Sequence, residues 1–458
     1  MHDVGLRDFR GMNHDPLRQA LLTARVPRYT SYPPADRFTD AVGATEKTAW
    51  LGAVAPGSAV SLYVHVPFCR RLCWFCACRT QGTRSDAPLD RYLEHLAQEI
   101  ALTRRVMPES VLVSGVNLGG GTPTLLSPDR IDRLGGLIAG AFDIGGAEIS
   151  AEIDPTDCDE ARIDALVALG LSRASVGVQD FDPQVQAAIG RTQSVAATRD
   201  TVHALRRRGI GSVNIDLLYG LPHQDPARLG RTIESVLALS PNRIALYGYA
   251  HVPWIARRQR LIPEDALPSP EARLALAELG RARLIDAGYV AVGIDHFARP
   301  HDALAQAARS GVLRRAFQGY TLDGAETLVG FGPSAISRFV QGYVQNPAST
   351  EAWQRSVGAG GIAAARGVVL TDRDRVLATV VERLMCDGAV DLAQLGAAPG
   401  SDLVAAAGAA LERYPGAGTF DGAVLRLSDR RAARLVAHAI ETAVTGASTP
   451  VSRYSLAS

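Results

Sequence analysis

An α/β fold built on a partial (β/α) barrel of the TIM-like kind is what the sequence predicts, on three observations. From about residue 59 to 300, short apolar strands alternate with amphipathic helices, which implies a parallel sheet with helices on its outer face. Several of those strands carry polar residues on one face, whereas strands of an open doubly wound sheet are buried on both faces and apolar throughout. Past residue 300 the alternation ends and helical patterns dominate. The expected organisation is an N-terminal extension over 1–45, a barrel domain over 46–300 and a mainly helical C-terminal domain over 301–458.

In chain order, the extension holds a short polar helix and then Pro27-Arg28-Tyr29-Thr30-Ser31-Tyr32-Pro33-Pro34, which cannot be helical. The strands expected are Ala59–Val66, Val113–Leu118, Ala147–Asp154, Arg173–Gln179, Ser212–Tyr219, Arg243–Ala250 and Val290–Asp295. In the first, Val60, Leu62, Val64 and Val66 alternate with Ser61, Tyr63 and His65. In the third, Ile149, Ala151 and Ile153 alternate with Glu148, Ser150, Glu152 and Asp154. Ser175 with Gln179, and Asn214 with Asp216, repeat the pattern. Polar residues converging from successive strands suggest a lumen that holds a polar ligand near the strand C-termini. Helices are expected at Leu89–Val106, Pro128–Phe142, Glu160–Leu169, Val195–Arg208 and Pro270–Ala287, with Ser127 as an N-cap and Gly170 and Gly288 at helix ends. Phe317-Gln318-Gly319-Tyr320 and Gly330-Phe331-Gly332-Pro333 read as loops. Helices follow at Asp372–Met385, Ser401–Arg413 and Asp429–Thr445, the last with Ser428 as its cap.

With 458 residues, 47% hydrophobic and 21% charged, the chain has the make-up of a soluble globular protein. A formal charge of +1 gives no global field for nucleic acid or a membrane surface, and neither is expected as a partner. The N-terminus lacks a signal-like apolar run and no stretch is long enough to span a bilayer, so the expected location is cytoplasmic. Thiols stay reduced in such a compartment. Cys158 and Cys386, isolated in sequence, read as inert buried thiols.

The remaining four cysteines, Cys69, Cys73, Cys76 and Cys78, fall within ten residues directly after the first strand. Structural zinc usually draws two ligand pairs from separate loops, and the chain has no second pair. Thiolates at spacings of three and two instead reach three corners of a four-iron cluster, leaving one iron open for chemistry. Arg70 and Arg71 inside this loop would favour thiolates and ease electron addition. With Arg79 they would also offer a basic face to an acidic electron donor such as flavodoxin.

Cys69-x3-Cys73-x2-Cys76, with Phe75 before the last cysteine, resembles the cluster loop of radical S-adenosylmethionine (SAM) enzymes. That superfamily's fold is a full or partial βα barrel, so the resemblance implies a barrel of the radical SAM type. It also implies a [4Fe-4S] cluster whose open iron chelates SAM and cleaves it to a 5′-deoxyadenosyl radical. Further motifs are similar to those of the oxygen-independent coproporphyrinogen III oxidases: Arg28–Pro33, Cys78, Gly119-Gly120-Gly121-Thr122-Pro123-Thr124, Glu152-Ile153-Asp154-Pro155 and Gly177-Val178-Gln179-Asp180-Phe181. Asn214-Ile215-Asp216-Leu217, Tyr219-Gly220-Leu221-Pro222, Tyr249-Ala250-His251, Asp295-His296-Phe297-Ala298 and Phe317–Thr321 continue the match in the same order.

The resemblance implies that Cys69, Cys73 and Cys76 ligate the cluster, while Cys78 matters without being a ligand. It places Tyr63, Gly120, Glu152 and Ile336 around the SAM on the cluster. A second SAM would contact Phe75, Gly121, Thr122, Gln179, Arg191, Asp216 and Ala250, and Phe317 and Gln318 match a segment needed for activity. The implied reaction converts two propionates of coproporphyrinogen III to vinyls, giving protoporphyrinogen IX for haem. A reduced donor supplies electrons, a further acceptor removes them, and the chain is expected to act as a monomer. Chemistry supports several of these roles. Glycines at 119–121 let backbone approach a ligand, Glu152 can accept from an ammonium or ribose, Asp216 and Gln179 suit ribose hydroxyls, and Arg191 suits a carboxylate fork. Arg28, Arg314 and Arg315 are candidates for the substrate carboxylates.

Departures from the family pattern are Leu118, Gly190, Gly248 and Ala316. The alternatives are a haem-binding paralogue (a haem chaperone) without oxidase activity, a radical SAM methyltransferase-like enzyme that opens haem, and a zinc-stapled binding module. Cys78 and Arg28–Pro33 argue against the first two, and metal analysis separates the third.

Overall fold

The computed structural model describes residues 15–317, 319–446 and 454–456. Strands β1 (Ala59–Val66), β2 (Leu112–Gly120), β3 (Glu148–Ile153), β4 (Leu171–Gln179), β5 (Ser212–Tyr219) and β6 (Arg243–Gly248) pair in parallel, each with the next. Helices α1 (Pro16–Thr23) and α2 (Ala44–Gly52) precede them. Between them run α3 (Ala87–Val106), α4 (Pro128–Ala141), α5 (Glu160–Ala168), α6 (Val195–Arg207) and α7 (Pro226–Ala238). The period-2 pattern sorts side chains as expected. Val60, Leu62, Val64 and Val66 are wholly buried beneath the helices, each worth about 1.5–3 kcal/mol. Ser61, Tyr63 and His65 turn into the lumen.

The segment expected as one strand over Val290–Asp295 is instead two short strands, β7 (Val290–Val292) and β8 (His296–Ala298), which run antiparallel. Gly293 breaks it: its φ of 59° is a turn conformation, and a Cβ there would lie 2.0 Å from the Tyr320 ring. α8 (Pro270–Asp286) precedes this hairpin.

On the other side of β1 lies β9 (Thr327–Phe331), also parallel to it, followed by the antiparallel strands β10 (Ile336–Arg338), β11 (Gly342–Gln345) and β12 (Arg366–Val369). The sheet order is therefore β12-β11-β10-β9-β1-β2-β3-β4-β5-β6-β8-β7, a curved sheet that is not closed edge to edge. The boundary expected at residue 300 thus falls inside the sheet, and Gly330-Phe331-Gly332 is no simple loop. These strands are short, three of them contain a glycine, and β1, the partner of β9, lies more than 250 residues upstream, so local pattern gave no sign of them.

The helical remainder comprises α9 (Asp372–Asp387), α10 (Asp402–Arg413) and α11 (Ala433–Thr445), with a small three-stranded sheet over Ala389–Asp391, Gly418–Phe420 and Val424–Leu427. Ser428 does not cap α11; Asp429 caps a 3-10 turn (Arg430–Ala432) that leads into it. The extension is part of this unit. Leu17, Leu21, Val26, Tyr29 and Tyr32 belong to the same apolar core as α9–α11, and the Tyr29 hydroxyl donates to Glu441. Arg315 Nε donates to Tyr29 O (3.2 Å), which ties the Arg28–Pro33 segment to the hairpin Arg314–Ala316/Gly319–Thr321.

Candidate active site

The cluster loop leaves β1 at Pro67 and is held by backbone contacts rather than by regular structure. Phe68–Cys69 pairs with Gln81–Gly82, Trp74 N–H donates to Ile189 O (2.9 Å), and Thr83 N–H donates to Cys69 O (3.1 Å). The glycine run at the end of β2 clamps its base: Gly121 and Thr122 N–H donate to Val66 O and Phe68 O, each at 2.8 Å. These glycines make room for the protein itself. A Cβ on Gly119 would lie 2.8 Å from Glu152 Oε1, on Gly120 2.6 Å from the His65 ring, and on Gly121 2.5 Å from Phe68 O. Gly190, one of the departures, accommodates the Trp74 indole in the same way (2.9 Å).

Cys69, Cys73, Cys76 and Cys78 line one cavity of about 350 Å³ with Tyr63, Phe75, Gly120, Gly121, Thr122, Glu152, Gln179, Arg191 and Asp216. The polar lumen faces of β1 to β6 therefore open onto the cluster loop at the strand C-termini. Glu152 Oε2 accepts from Gly120 N–H (3.1 Å). Burial, then the nearby Asp216 charge, pushes its carboxyl up to about 7. Asp216 accepts from Ser175 Oγ (2.9 Å) and Asn214 Nδ2 (2.8 Å), yet burial still holds its carboxyl above the usual range. Asn214 Oδ1 is buried with no partner among the described residues, an acceptor facing the cavity. At the mouth Cys76 and Cys78 interact with one another, which lowers the Cys76 thiol and raises that of Cys78. Burial raises the Cys69 thiol to about 11, against a hydrogen bond with Thr122.

Not every expected residue joins this cavity. Ile336 and Phe317 line a separate pocket of about 260 Å³ with Tyr29–Tyr32, Arg314 and Arg315; Ile336 sits on β10, separated from Tyr63 by β9, its carbonyl against Gly330. Gln318 lies outside the described residues. Ala250 contributes its carbonyl to Gln259 rather than lining the cavity. The Arg191 fork is engaged by the protein: Nη1 with Asp154 (3.0 Å) and Cys73 Sγ (3.7 Å), Nη2 with Gly177 O (2.7 Å), Nε with Gln193 Oε1 (3.2 Å). Its guanidinium therefore lies against Asp154 and the Cys73 sulfur rather than open to a ligand carboxylate. Of the basic face expected from the loop, Arg70 is tied to Asp86 (2.5 Å) and Arg71 to Thr192 O (2.7 Å), leaving Arg79 exposed. Arg314 pairs with Glu382 (3.4 Å) and Arg315 stacks on Tyr320, so neither reaches the cavity.

Two residues that sequence reasoning missed secure the loop. Arg258 Nη2 donates to Thr80 Oγ1 (2.6 Å) and lies against Thr80 O and Cys78 O. Gln259 Nε2 bridges Phe75 O (2.7 Å) and Ala250 O (3.0 Å). Both sit in a 3-10 turn (Arg257–Leu261) whose sequence has no periodicity to mark it.

The donor set fits a multi-iron cluster better than one ion. Among the described residues, no three Cys, His, Asp or Glu side chains are gathered closely enough to hold a single metal ion, whereas the thiols of Cys69, Cys73, Cys76 and Cys78 all line one cavity. An orphaned acceptor and two incompletely compensated carboxylates further in suit a ligand rich in N–H and O–H donors.

The superfamily model "Radical SAM superfamily" matches residues 63–236. An oxygen-independent coproporphyrinogen III oxidase of Paracoccus denitrificans is 53% identical over 371 residues, covering 81% of this chain and 82% of that protein. A coproporphyrinogen III oxidase, anaerobic 1, of Cereibacter sphaeroides is 46% identical over 96% of this chain and 98% of its own length. The solved structure of HemN, the Escherichia coli coproporphyrinogen III oxidase described as a radical SAM enzyme, superposes with a TM-score of 0.86 at 37% identity, covering 91% of this chain and 97% of that one. With the cysteine loop, the glycine clamp and the polar lumen in one cavity, the chain belongs to the family of oxygen-independent coproporphyrinogen III oxidases, within the radical SAM superfamily.

Proposed function

We propose that this chain converts two propionate side chains of coproporphyrinogen III to vinyl groups without oxygen, giving protoporphyrinogen IX. The observation that carries the reading is the convergence of Cys69, Cys73 and Cys76 with Glu152 and Asp216 in one cavity. When bound, a [4Fe-4S] cluster and SAM supply hydrogen-atom abstraction by a carbon radical. In the balance, each propionate loses one hydrogen atom from the carbon β to its carboxylate, carbon dioxide and one electron. The haem-binding alternative is not favoured, because relatives matched along most of their length carry the oxidase name.

Cys69, Cys73 and Cys76 would hold the cluster, and Arg191 and Arg258 would offset its negative charge. Tyr63, Gly120 and Glu152 stand where a SAM on the cluster would lie, with Glu152 as acceptor for its ammonium or ribose. Ile336 would act from β10, beyond β9. Phe75, Gly121, Thr122, Gln179, Arg191 and Asp216 would surround a second SAM, with Ala250 behind them, its carbonyl on Gln259. For the substrate carboxylates, Arg71, whose Nε has no partner among the described residues, and Arg258 at the cavity mouth are better placed than Arg28, Arg314 or Arg315. A reduced one-electron donor such as flavodoxin would dock by Arg79. The protein would act as a cytoplasmic monomer; among the described residues no helix is long and apolar enough to cross a membrane and no cysteine forms a disulfide.

Anaerobic incubation of reconstituted protein with coproporphyrinogen III, SAM and reductant tests the proposal. Vinyl products with matching 5′-deoxyadenosine are expected. A loaded, brown protein that yields neither would overturn it.

A further inference from the structure

A second large cavity, of about 710 Å³, lies outside the barrel, between α8, the end of β6 and the segment that leads into α11. Its size is that of a small-molecule site. Five arginines line it, Arg28, Arg281, Arg430, Arg431 and Arg434, against three carboxylates. Two of those carboxylates are already ion-paired, and the third, Asp295, offsets only part of the charge of Arg28 and Arg434. Arg431 holds both Asp429 (2.6 Å) and Glu278 (2.7 Å), and Asp295 accepts from His296 Nδ1 (2.7 Å).

Among the described residues, Arg28, Arg281 and Arg430 have no carboxylate within ion-pair distance. Arg28 donates to Gly248 O (2.6 Å) and Ser455 Oγ (3.4 Å), and Arg430 to Cys386 O (2.8 Å). A sixth guanidinium, Arg273, closes in where Gly248 has no side chain; a Cβ there would lie 2.5 Å from its Nη2. This family departure thus makes room for more positive charge. Burial, then the charges of Arg434 and Arg273, push Arg28 down to about 9, and burial lowers Arg281 and Arg434 too. Enclosing like charges is costly unless a counter-ion joins them.

We propose that this interdomain cavity binds a small multivalent oxyanion, phosphate- or carboxylate-bearing, through the guanidinium forks of Arg28, Arg281 and Arg430. Such a ligand would bridge the barrel and the C-terminal helices, since Arg281 belongs to one and Arg430 to the other. It would also lie next to Asp295, whose hydrogen-bonded neighbour His296 lines the cluster cavity.

Calorimetric titration of the full-length, cluster-loaded protein with pyrophosphate and, separately, citrate at low ionic strength tests this. At least one probe should bind at one site per chain, more weakly as KCl is raised. Arg281→Gln with Arg430→Gln should weaken binding by about tenfold or more. Binding of pyrophosphate alone identifies phosphate as the recognised group, and binding of citrate alone identifies carboxylate. No saturable site for either probe, or equal affinity in the double variant, overturns the proposal. Should the double variant fail to fold by circular dichroism, Arg281→Lys decides: it keeps the charge but loses the fork, and unchanged affinity would count against the site.

Discussion

Two buried glutamates, Glu99 in the helix layer and Glu152 in the lumen, are treated in opposite ways by this fold. Glu99 accepts from Gly332 N–H (2.7 Å), Asn346 Nδ2 (2.7 Å) and Trp353 Nε1 (3.1 Å), and Asn346 passes the contact on to Lys47 Nζ (2.7 Å). Every element of that network is protein, and it ties α2, α3 and the chain after β9 together. Among the described residues, Glu152 has one hydrogen bond, from Gly120, and faces Asp216 and Cys76, which carry the same sign of charge when ionised. A satisfied buried carboxylate is a device of folding; an unsatisfied one in a cavity marks a place for a ligand.

The largest effects should appear at the mouth of that cavity. Cys69→Ala, Cys73→Ala or Cys76→Ala should abolish both the brown colour and vinyl formation, whereas Cys78→Ala should keep wild-type iron and sulfide content while losing turnover. Iron and sulfide assays on reconstituted protein separate the two classes. A Cys78→Ala variant that lost the cluster would break the assignment of three ligands.

Glu152→Gln and Glu99→Ala sharpen the comparison because their signs differ. Glu152→Gln should cut turnover by roughly 10²–10³-fold while stabilising the SAM-free protein. The folded carboxyl titrates near 7 and its unfolded counterpart near 4.5, so the folded state holds a proton that the unfolded chain has released. Stability therefore falls as pH rises from 4.5 to 7 and stays lower above, by about 3 kcal/mol at most. The variant should gain that amount at pH 8 and nothing below pH 4, read by denaturant unfolding. Glu99→Ala strands three donors and Lys47, and should cost about 3–5 kcal/mol with turnover per folded molecule unchanged. Equal signs for the two variants would dissolve the distinction.

Much of this contrast was legible in the sequence. The alternation of Val60, Leu62, Val64 and Val66 with Ser61, Tyr63 and His65 fixes which face of β1 meets helices, and the cysteine spacing names the loop. What escaped depends on long-range pairing. β9 is a five-residue strand that finds its partner across most of the chain, and Gly293 splits a run whose composition is that of a strand. The glycines at 119–121 were legible as a feature but not in their use, since only the packed structure shows that Phe68 O, His65 and Glu152 occupy the space of the missing side chains. Arg191 likewise needed coordinates, because nothing local pairs it with Asp154.

Arg258 is the residue on which the comparison turns last. The cluster loop lacks a network like that around Glu99; at its C-terminal end, Arg258 is the charged side chain reaching Cys78 O, Thr80 O and Thr80 Oγ1. It sits on a turn after β6, so it clamps the loop from the opposite rim of the cavity. Removing it leaves the thiols in place but frees that end of the loop, and the support of metal ligands by such outer contacts is typically worth 10–100-fold. Arg258→Ala should therefore reconstitute to full iron content, lose iron to an added chelator about tenfold faster than wild type, and retain measurable turnover. Chelator-challenge kinetics read this directly. Iron loss at the wild-type rate would mean that Trp74, Thr83, Gln259 and the glycine clamp hold the loop without it.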